Sequence, residues 1–121
     1  MRKLLLVEDE PALRDAYQLI LSTQPYDFDV AVNGQDALDK CAKKHYDLIL
    51  LDLMMPVLDG VGFLERFATN GHTPSRVVVL SNLSSGQDLT RAISLGAQKS
   101  VLKAELSPKQ LLAMVRYELE S

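Results

Sequence analysis

Five polar side chains in this sequence directly follow apolar runs of strand length, and their types could perform acid, anion-binding or metal chemistry. They are Glu8 and Asp9 after the run LLLV, Asp52 after LILL, Ser81 after VVVL, and Lys103 after SVL. Ligands of open α/β sheets bind beyond the carboxyl ends of the strands. We therefore expect these five side chains, which come from four separate loops, to converge at one edge of a sheet.

The three acids of this set would repel one another within a few ångström, which would raise their pKa values or destabilise the fold. A hard divalent cation removes that repulsion, and Mg²⁺ prefers oxygen ligands while it keeps several waters. The sequence therefore predicts a site for Mg²⁺, with Mn²⁺ as a candidate substitute. Its expected ligands are Asp9, Asp52, one backbone carbonyl and waters that Glu8 orders.

Lys103 and Ser81 add an ammonium and a hydroxyl group to the same predicted edge. They imply an anion that contacts both the metal and the lysine. A phosphoryl group on a carboxylate oxygen fits, because Mg²⁺, the ammonium and the hydroxyl would all offset its charge. Asp52 is then the candidate nucleophile.

Apolar runs of strand length alternate with segments of helical period, and this alternation predicts a parallel α/β sheet. Three runs are continuously apolar and predict interior strands, at 4–7, 48–51 and 77–80. The segment at 27–32 alternates and the one at 100–102 is short, so both predict edge strands. The expected fold is a doubly wound five-stranded parallel sheet of order 2-1-3-4-5 with five helices.

Each intervening segment has an apolar stripe that should face the core. The stripes are Leu13, Ala16, Tyr17 and Ile20; Ala37, Leu38 and Cys41; Leu64, Phe67 and Ala68; Leu89, Ala92 and Ile93; and Leu111, Leu112, Val115 and Leu119. The fourth helix should end at Gly96, and the segment SPKQ predicts a capping box that begins the fifth. The side chain of Met54 is expected to pack in the core.

Length and composition limit the possible functions. A chain of 121 residues has the size of one domain, expected here over 1–121. The net charge of −3 provides no broad basic field, so we expect partners to be proteins or metals, with no direct nucleic-acid or membrane binding. Cys41 is the only cysteine, and the apolar run before Glu8 is too short for a signal peptide or membrane span. These features predict a soluble cytoplasmic protein.

Several segments together resemble the response-regulator receiver domains of two-component signalling, the CheY-like superfamily, over essentially the whole chain. LLLVEDE resembles the acidic pair of that family, DLMMPVLDG its phosphoacceptor segment, LSN its switch hydroxyl, and GAQKSVLK its closing lysine. The resemblance implies a flavodoxin-like fold with Asp52 as the phosphorylated residue. It also implies a metal held by Glu8, Asp9, Asp52 and the Met54 carbonyl, and phosphoryl oxygens bound by Ser81 and Lys103.

The same resemblance implies partners and a reaction. The domain would take a phosphoryl group from a sensor histidine kinase or phosphotransfer protein, hold it as an acyl phosphate, hydrolyse it slowly and change its output face. A downstream output protein, a missing C-terminal effector domain and a homodimer through the fourth and fifth helices are further family-level expectations. No output segment follows Ser121, so a stand-alone regulator and a fragment of a longer regulator both stay open.

Three positions in the predicted switch region differ from the family pattern. The closing lysine is usually followed by proline, often through a cis bond, but Ala104 stands here. Ser100 replaces a common aromatic residue, and Asn82 replaces a small residue after the switch hydroxyl. We expect the phosphorylation chemistry to survive these changes and the signal output to differ.

Two further positions, Met54 and Leu83, tend to tune acyl-phosphate hydrolysis in this family. Neither side chain donates or accepts a useful hydrogen bond, so neither can orient an attacking water. The resemblance therefore implies a long-lived phosphorylated state.

Three alternatives to an active receiver differ in what their sites require. A flavin-binding module of this topology needs a glycine-rich phosphate loop, and the acids of VEDEPA would repel that phosphate. A haloacid-dehalogenase-like phosphatase needs a second acid where Met54 stands. A phosphorylation-independent pseudo-receiver, acting as a protein-interaction module, stays open because of Ser100 and Asn82.

Overall fold

The computed structural model describes residues 2–69, 75–82 and 86–120, except the side chains of 68 and 69, and its five strands form one parallel sheet. The sheet has the order β2-β1-β3-β4-β5. The strands are β1 (Lys3–Val7), β2 (Asp27–Ala31), β3 (Leu48–Asp52), β4 (Arg76–Ser81) and β5 (Lys99–Leu102). The predicted strand order and the edge positions of β2 and β5 are confirmed.

Five α-helices connect and follow the strands, as predicted. They are α1 (Pro11–Leu21), α2 (Gly34–Lys43), α3 (Gly60–Thr69), α4 (Gly86–Ser94) and α5 (Pro108–Glu120), and a short 3₁₀ turn covers Lys103–Glu105. The capping box of α5 is confirmed, because Gln110 N–H donates to Ser107 Oγ at 3.2 Å and Ser107 N–H donates to Gln110 Oε1 at 3.0 Å. No helix in the described part of the chain is long and apolar enough to cross a membrane.

Two apolar cores lie on opposite faces of the sheet. One is formed by α1 and α5, and the other by α2, α3 and α4. All residues of β3 are buried, as expected for a central strand that helices cover on both faces. Cys41 lies in the second core, and burial raises the pKa of its thiol to about 11, so the thiol is protonated and unreactive at neutral pH.

Two members of the predicted apolar stripes are exposed. Ala16 is exposed because the buried face of α1 is centred on Tyr17 and Leu21, and the short alanine side chain lies beside it. Ile93 is also exposed, and Ala92 is the buried residue of α4. The predicted stripe of α3 includes Ala68, whose side chain lies outside the described residues.

The loop after β3 depends on a close backbone approach at Gly60. An added Cβ at this position would lie 2.7 Å from the carbonyl oxygen of Asp52 and 2.8 Å from Leu53 Cα, so a larger residue would displace the end of the strand. Asp59 caps the amino terminus of α3, because its Oδ1 accepts from the N–H of Gly62 at 2.8 Å. This close approach and the cap determine how the chain leaves Asp52.

A buried carboxylate ties α5 to the opposite, amino-terminal edge of the sheet. Glu118 is almost fully buried, and its oxygens lie 3.2 Å from Lys99 Nζ and 3.5 Å from Arg76 Nη1. Lys99 begins β5 and Arg76 begins β4. The sequence does not indicate this contact, since a glutamate in an amphipathic helix is ordinarily assigned to the solvent face.

Candidate functional site

The carboxyl ends of β1, β3, β4 and β5 bring the predicted site residues to one edge of the sheet. Asp52 is the last residue of β3, and Glu8 directly follows the adjacent strand β1. Ser81 is the buried last residue of β4 and pairs in register with Leu102, the residue before Lys103. The convergence that the strand-end positions predict is therefore present in the fold.

Lys103 bridges two buried acids at this edge. Its Nζ atom lies 2.9 Å from Glu8 Oε1 and 3.1 Å from Asp52 Oδ1. Glu8 is fully buried and Asp52 almost so, while 21% of the lysine side chain is exposed. The site thus places two carboxylates against one ammonium in a poorly solvated environment, where electrostatic interactions are strong.

Burial and the nearby carboxylate of Glu8 raise the pKa of Asp52 to about 7, against the opposing effect of Lys103. Burial alone would lower the pKa of Lys103, but its contacts with Glu8 and Asp52 outweigh that effect, so its pKa is raised. The lysine is therefore charged at neutral pH, whereas the fold resists ionisation of Asp52. Additional positive charge near Asp52 would favour its ionised form.

The acidic residues of the site fit a hard divalent cation. Carboxylate oxygens of Glu8, Asp9 and Asp52 all lie within 4.8 Å of one another. Glu8 Oε1 is buried, and within the described chain it has the ion pair with Lys103 but no hydrogen bond. Oxygen donors with excess negative charge are the ligands that Mg²⁺ prefers, so these residues suit the predicted metal.

Met54 lies beside Asp52 but does not pack in the core as predicted. Its N–H donates a long hydrogen bond to Asp52 Oδ1 at 3.3 Å, and its side chain is 51% exposed. The neighbours Leu53 and Met55 are buried, whereas the Met54 side chain between them is exposed. The expectation that Met54 packs is wrong, and the role of its carbonyl as a metal ligand stays a prediction.

The predicted switch positions are distributed around this cluster. Ser100, in β5, and Asn82, directly after β4, are both exposed. Leu83 lies outside the described residues. Lys103 and Ala104 begin the 3₁₀ turn, and no cis peptide bond occurs within the described segments.

Two residues near the acids were not identified from the sequence. Arg14 Nη1 donates to the carbonyl oxygens of Glu8 and Asp9 at 3.1 and 3.3 Å. Tyr17 is buried, and burial followed by the charge of Glu8 raises the pKa of its hydroxyl. Arg14 lies in the first turns of α1, five residues after Asp9, and this short spacing is the signal that could have suggested its role.

A family model described as "Response regulator receiver domain" matches residues 4–116. The chain belongs to the response-regulator receiver domains. The resemblance of its four segments to this family is thereby confirmed.

Curated relatives of this receiver domain are longer proteins. The chain is 35% identical over 114 residues to "Probable transcriptional regulator ycf27" of Porphyridium aerugineum, which covers 94% of this chain and 46% of that protein. It is 33% identical over 116 residues to "Response regulator ArlR" of Staphylococcus aureus, covering 96% and 52%. The chain therefore spans about half the length of these relatives.

Solved structures share the fold of this receiver domain over nearly its whole length. The Vibrio cholerae chemotaxis protein CheY4 has a TM-score of 0.87 at 26% identity, covering 98% of this chain and 99% of that one. The receiver domain of the Francisella response regulator 1452 has a TM-score of 0.86 at 25% identity, covering 99% and 98%. The flavodoxin-like, CheY-like topology is therefore confirmed.

Proposed function

We propose that this receiver domain accepts a phosphoryl group on Asp52 from the phosphohistidine of a sensor histidine kinase or phosphotransfer protein. The observation that carries the proposal is the buried cluster in which Lys103 contacts both Glu8 and Asp52. A purely structural cluster would gain little from two acids that share one lysine, because removing charges from water is costly. The excess negative charge suits a site that binds a cation and then an anion.

In the reaction, an Asp52 carboxylate oxygen attacks phosphorus, the P–N bond to the donor imidazole breaks, and a P–O bond forms. The attacking carboxylate must be ionised, although burial and Glu8 raise its pKa to about 7. Mg²⁺ held by Glu8, Asp9, Asp52 and the Met54 carbonyl would supply positive charge that favours the ionised carboxylate and offsets the phosphoryl oxygens. Mn²⁺ would serve as a substitute metal.

Lys103 and Ser81 are the residues that would hold the transferred group. The lysine ammonium lies 3.1 Å from an Asp52 oxygen, so a phosphoryl group on this carboxylate would lie beside it. Ser81, buried at the end of β4, would donate its hydroxyl hydrogen to another oxygen. Charge-assisted bonds of this kind are roughly twice as strong as neutral ones, so they would stabilise both transfer and product.

Slow hydrolysis is expected because the surroundings of Asp52 offer little help to an attacking water. The Asp52 side chain is almost fully buried. The side chain of Met54, two residues on, is exposed and has no group that orients water. Leu83 is the second position expected to tune this step.

Phosphorylation of Asp52 can be tested with acetyl phosphate and Mg²⁺, followed by intact-mass measurement. Wild type should gain one phosphate and Asp52→Asn should gain none. Asp59→Asn is the matched control, because asparagine also caps a helix and the α3 cap at Gly62 would be retained. Labelling of Asp52→Asn at the wild-type rate would refute the assignment. An unlabelled wild type would favour the pseudo-receiver, a phosphorylation-independent interaction module.

The partners of this receiver domain follow from the same proposal. Because the chain spans about half the length of its curated relatives, we infer an output segment or a separate downstream protein that responds to the phosphorylated state. Ser81, Asn82 and Ser100 form the proposed switch region. A homodimer and a cytoplasmic location remain proposals that size measurements and cell fractionation would test.

A further inference from the structure

Arg14 binds all three backbone carbonyls of the acidic turn that joins β1 to α1. Its Nη1 atom donates to the carbonyl oxygen of Glu8 at 3.1 Å and to that of Asp9 at 3.3 Å. Its backbone N–H donates to the carbonyl oxygen of Glu10 at 2.9 Å. The last of these is the first i to i−4 bond of α1, so the guanidinium itself holds two successive peptide units, each of which carries an acid.

The acidic turn has few other restraints on its helical side. Glu10 is the N-cap of α1 and its side chain makes no capping hydrogen bond. Pro11, at the first helical position, has no N–H to donate. On the strand side, Glu8 N–H donates to the carbonyl oxygen of Ala31 at 3.0 Å. Between that anchor and the helix, the segment that carries Asp9 is held by the bonds from Arg14 and by one bond across it, from Glu10 N–H to Glu8 Oε2 at 3.2 Å.

The guanidinium restrains this turn without occupying the carboxylates. Three consecutive acids, Glu8, Asp9 and Glu10, repel one another, and the positive charge of Arg14 opposes that repulsion. Because Nη1 donates to carbonyl oxygens, it does not compete with Lys103 or Glu10 N–H for the Glu8 carboxylate, which together with Asp9 and Asp52 offers oxygens within 4.8 Å of one another. If Arg14 instead formed an ion pair with one of these carboxylates, as Lys103 does, it would compete with a metal for the same oxygen.

We propose that Arg14 is a positioning residue for the metal site: it preorganises the Glu8 and Asp9 carboxylates toward Asp52 and thereby sets the affinity for Mg²⁺. This inference rests on the proposed function. Groups that orient metal ligands typically change metal affinity by 10- to 100-fold, and Arg14 acts through backbone carbonyls, so the lower end applies. Replacing it should raise the Mg²⁺ concentration needed for phosphorylation and leave the rate at saturating Mg²⁺ unchanged.

The test measures Mg²⁺ binding by calorimetry and acetyl-phosphate labelling across a Mg²⁺ series. Arg14→Gln should bind Mg²⁺ roughly tenfold more weakly and label at the wild-type rate once Mg²⁺ saturates. Arg14→Lys keeps the charge and one donating nitrogen, so it should recover part of the affinity. Arg91→Gln is the matched control, because Arg91 lies on α4 and pairs with exposed Glu65 at 3.7 Å.

The opposite outcome distinguishes positioning from simple electrostatics. If Arg14 acted only through its charge, its removal would tighten Mg²⁺ binding, so an unchanged or tighter Arg14→Gln variant overturns the inference. The inference is also overturned if Arg14→Gln labels more slowly than wild type at saturating Mg²⁺ to the same extent as at low Mg²⁺. An Arg14→Lys variant that binds Mg²⁺ no more tightly than Arg14→Gln overturns it as well. If Arg14→Gln does not fold in EDTA, Arg14→Leu keeps the apolar stem and is measured instead. A wild type that binds no Mg²⁺ would refute the proposed function as well.

Discussion

Asp52→Asn should stabilise the metal-free protein at neutral pH, because the folded state disfavours the ionised form of the Asp52 carboxylate. Burial and Glu8 raise the pKa of Asp52 from 3.8 to about 7. Each tenfold change in proton affinity corresponds to about 1.4 kcal/mol, so ionising Asp52 in the fold costs at most about 4 kcal/mol. Asparagine is uncharged, like the protonated acid, and removes that cost, which already includes the favourable 3.1 Å contact with Lys103 because the lysine lowers the pKa.

The gain should therefore be at most about 4 kcal/mol near pH 7.5, and each kcal/mol should raise the melting temperature of a domain this size by roughly 4 °C. The sign follows from proton linkage. Between the unfolded pKa of 3.8 and the folded value of about 7, native Asp52 binds more protons than the unfolded chain does. Wild-type stability should therefore fall as pH rises through that window, relative to Asp52→Asn.

Urea unfolding in EDTA from pH 4 to 8 measures this difference directly. Asp29→Asn is a control of opposite sign, because the hydrogen bond from Tyr46 at 2.6 Å, together with Lys44, lowers the pKa of Asp29. That variant should be less stable at neutral pH, and its penalty should shrink as pH falls through the lowered pKa. A difference between wild type and Asp52→Asn that is constant with pH, or an Asp52→Asn variant less stable at pH 7.5, would refute the reasoning.

Three further predictions test other parts of the molecule. Millimolar Mg²⁺ should raise the wild-type melting temperature by binding the native state, and Asp9→Ala should abolish most of that rise; an equal rise in both would place the ion elsewhere. Met54→Asn combined with Leu83→Glu should speed decay of the acyl phosphate after donor removal by roughly 5- to 150-fold, because a positioned water contributes about 1–3 kcal/mol. An unchanged decay rate would contradict the tuning role assigned to these two positions. Glu118→Gln should lower urea stability by about 1–3 kcal/mol because Lys99 loses a charged partner, and an unaltered midpoint would show that the pair contributes nothing.

The strand order could be predicted because burial on both faces leaves uninterrupted apolar runs. The runs at 4–7, 48–51 and 77–80 all became interior strands, and the alternating and short segments became edges. Helix faces were less certain, because periodicity shows which residues share a side but not how far the neighbouring layer extends. Ile93 is exposed for that reason, since α4 buries little beyond Ala92.

The site could be located from strand ends, but its internal contacts could not be derived from the sequence. Asp52, Glu8 and Lys103 meet because parallel strands end at one edge. That the lysine contacts both acids depends on how the β5–α5 connection turns, and the sequence pattern contains no signal for that turn. Arg14 was missed because bonds from a side chain to backbone carbonyls follow no hydrophobic period.

Lys99, the first residue of β5, and Lys103, directly after its last residue, together affect how this strand keeps its register in the sheet. β5 has four residues and pairs on one side only, so few ladder bonds resist a slip along β4. Lys99 at one end is paired with Glu118, and Lys103 beyond the other end is paired with the acids of the site. Because a one-residue slip turns every side chain to the opposite face, it would break both attachments at once. A Lys103 substitution therefore removes one of the two attachments that hold this edge strand in register, as well as the charge beside Asp52.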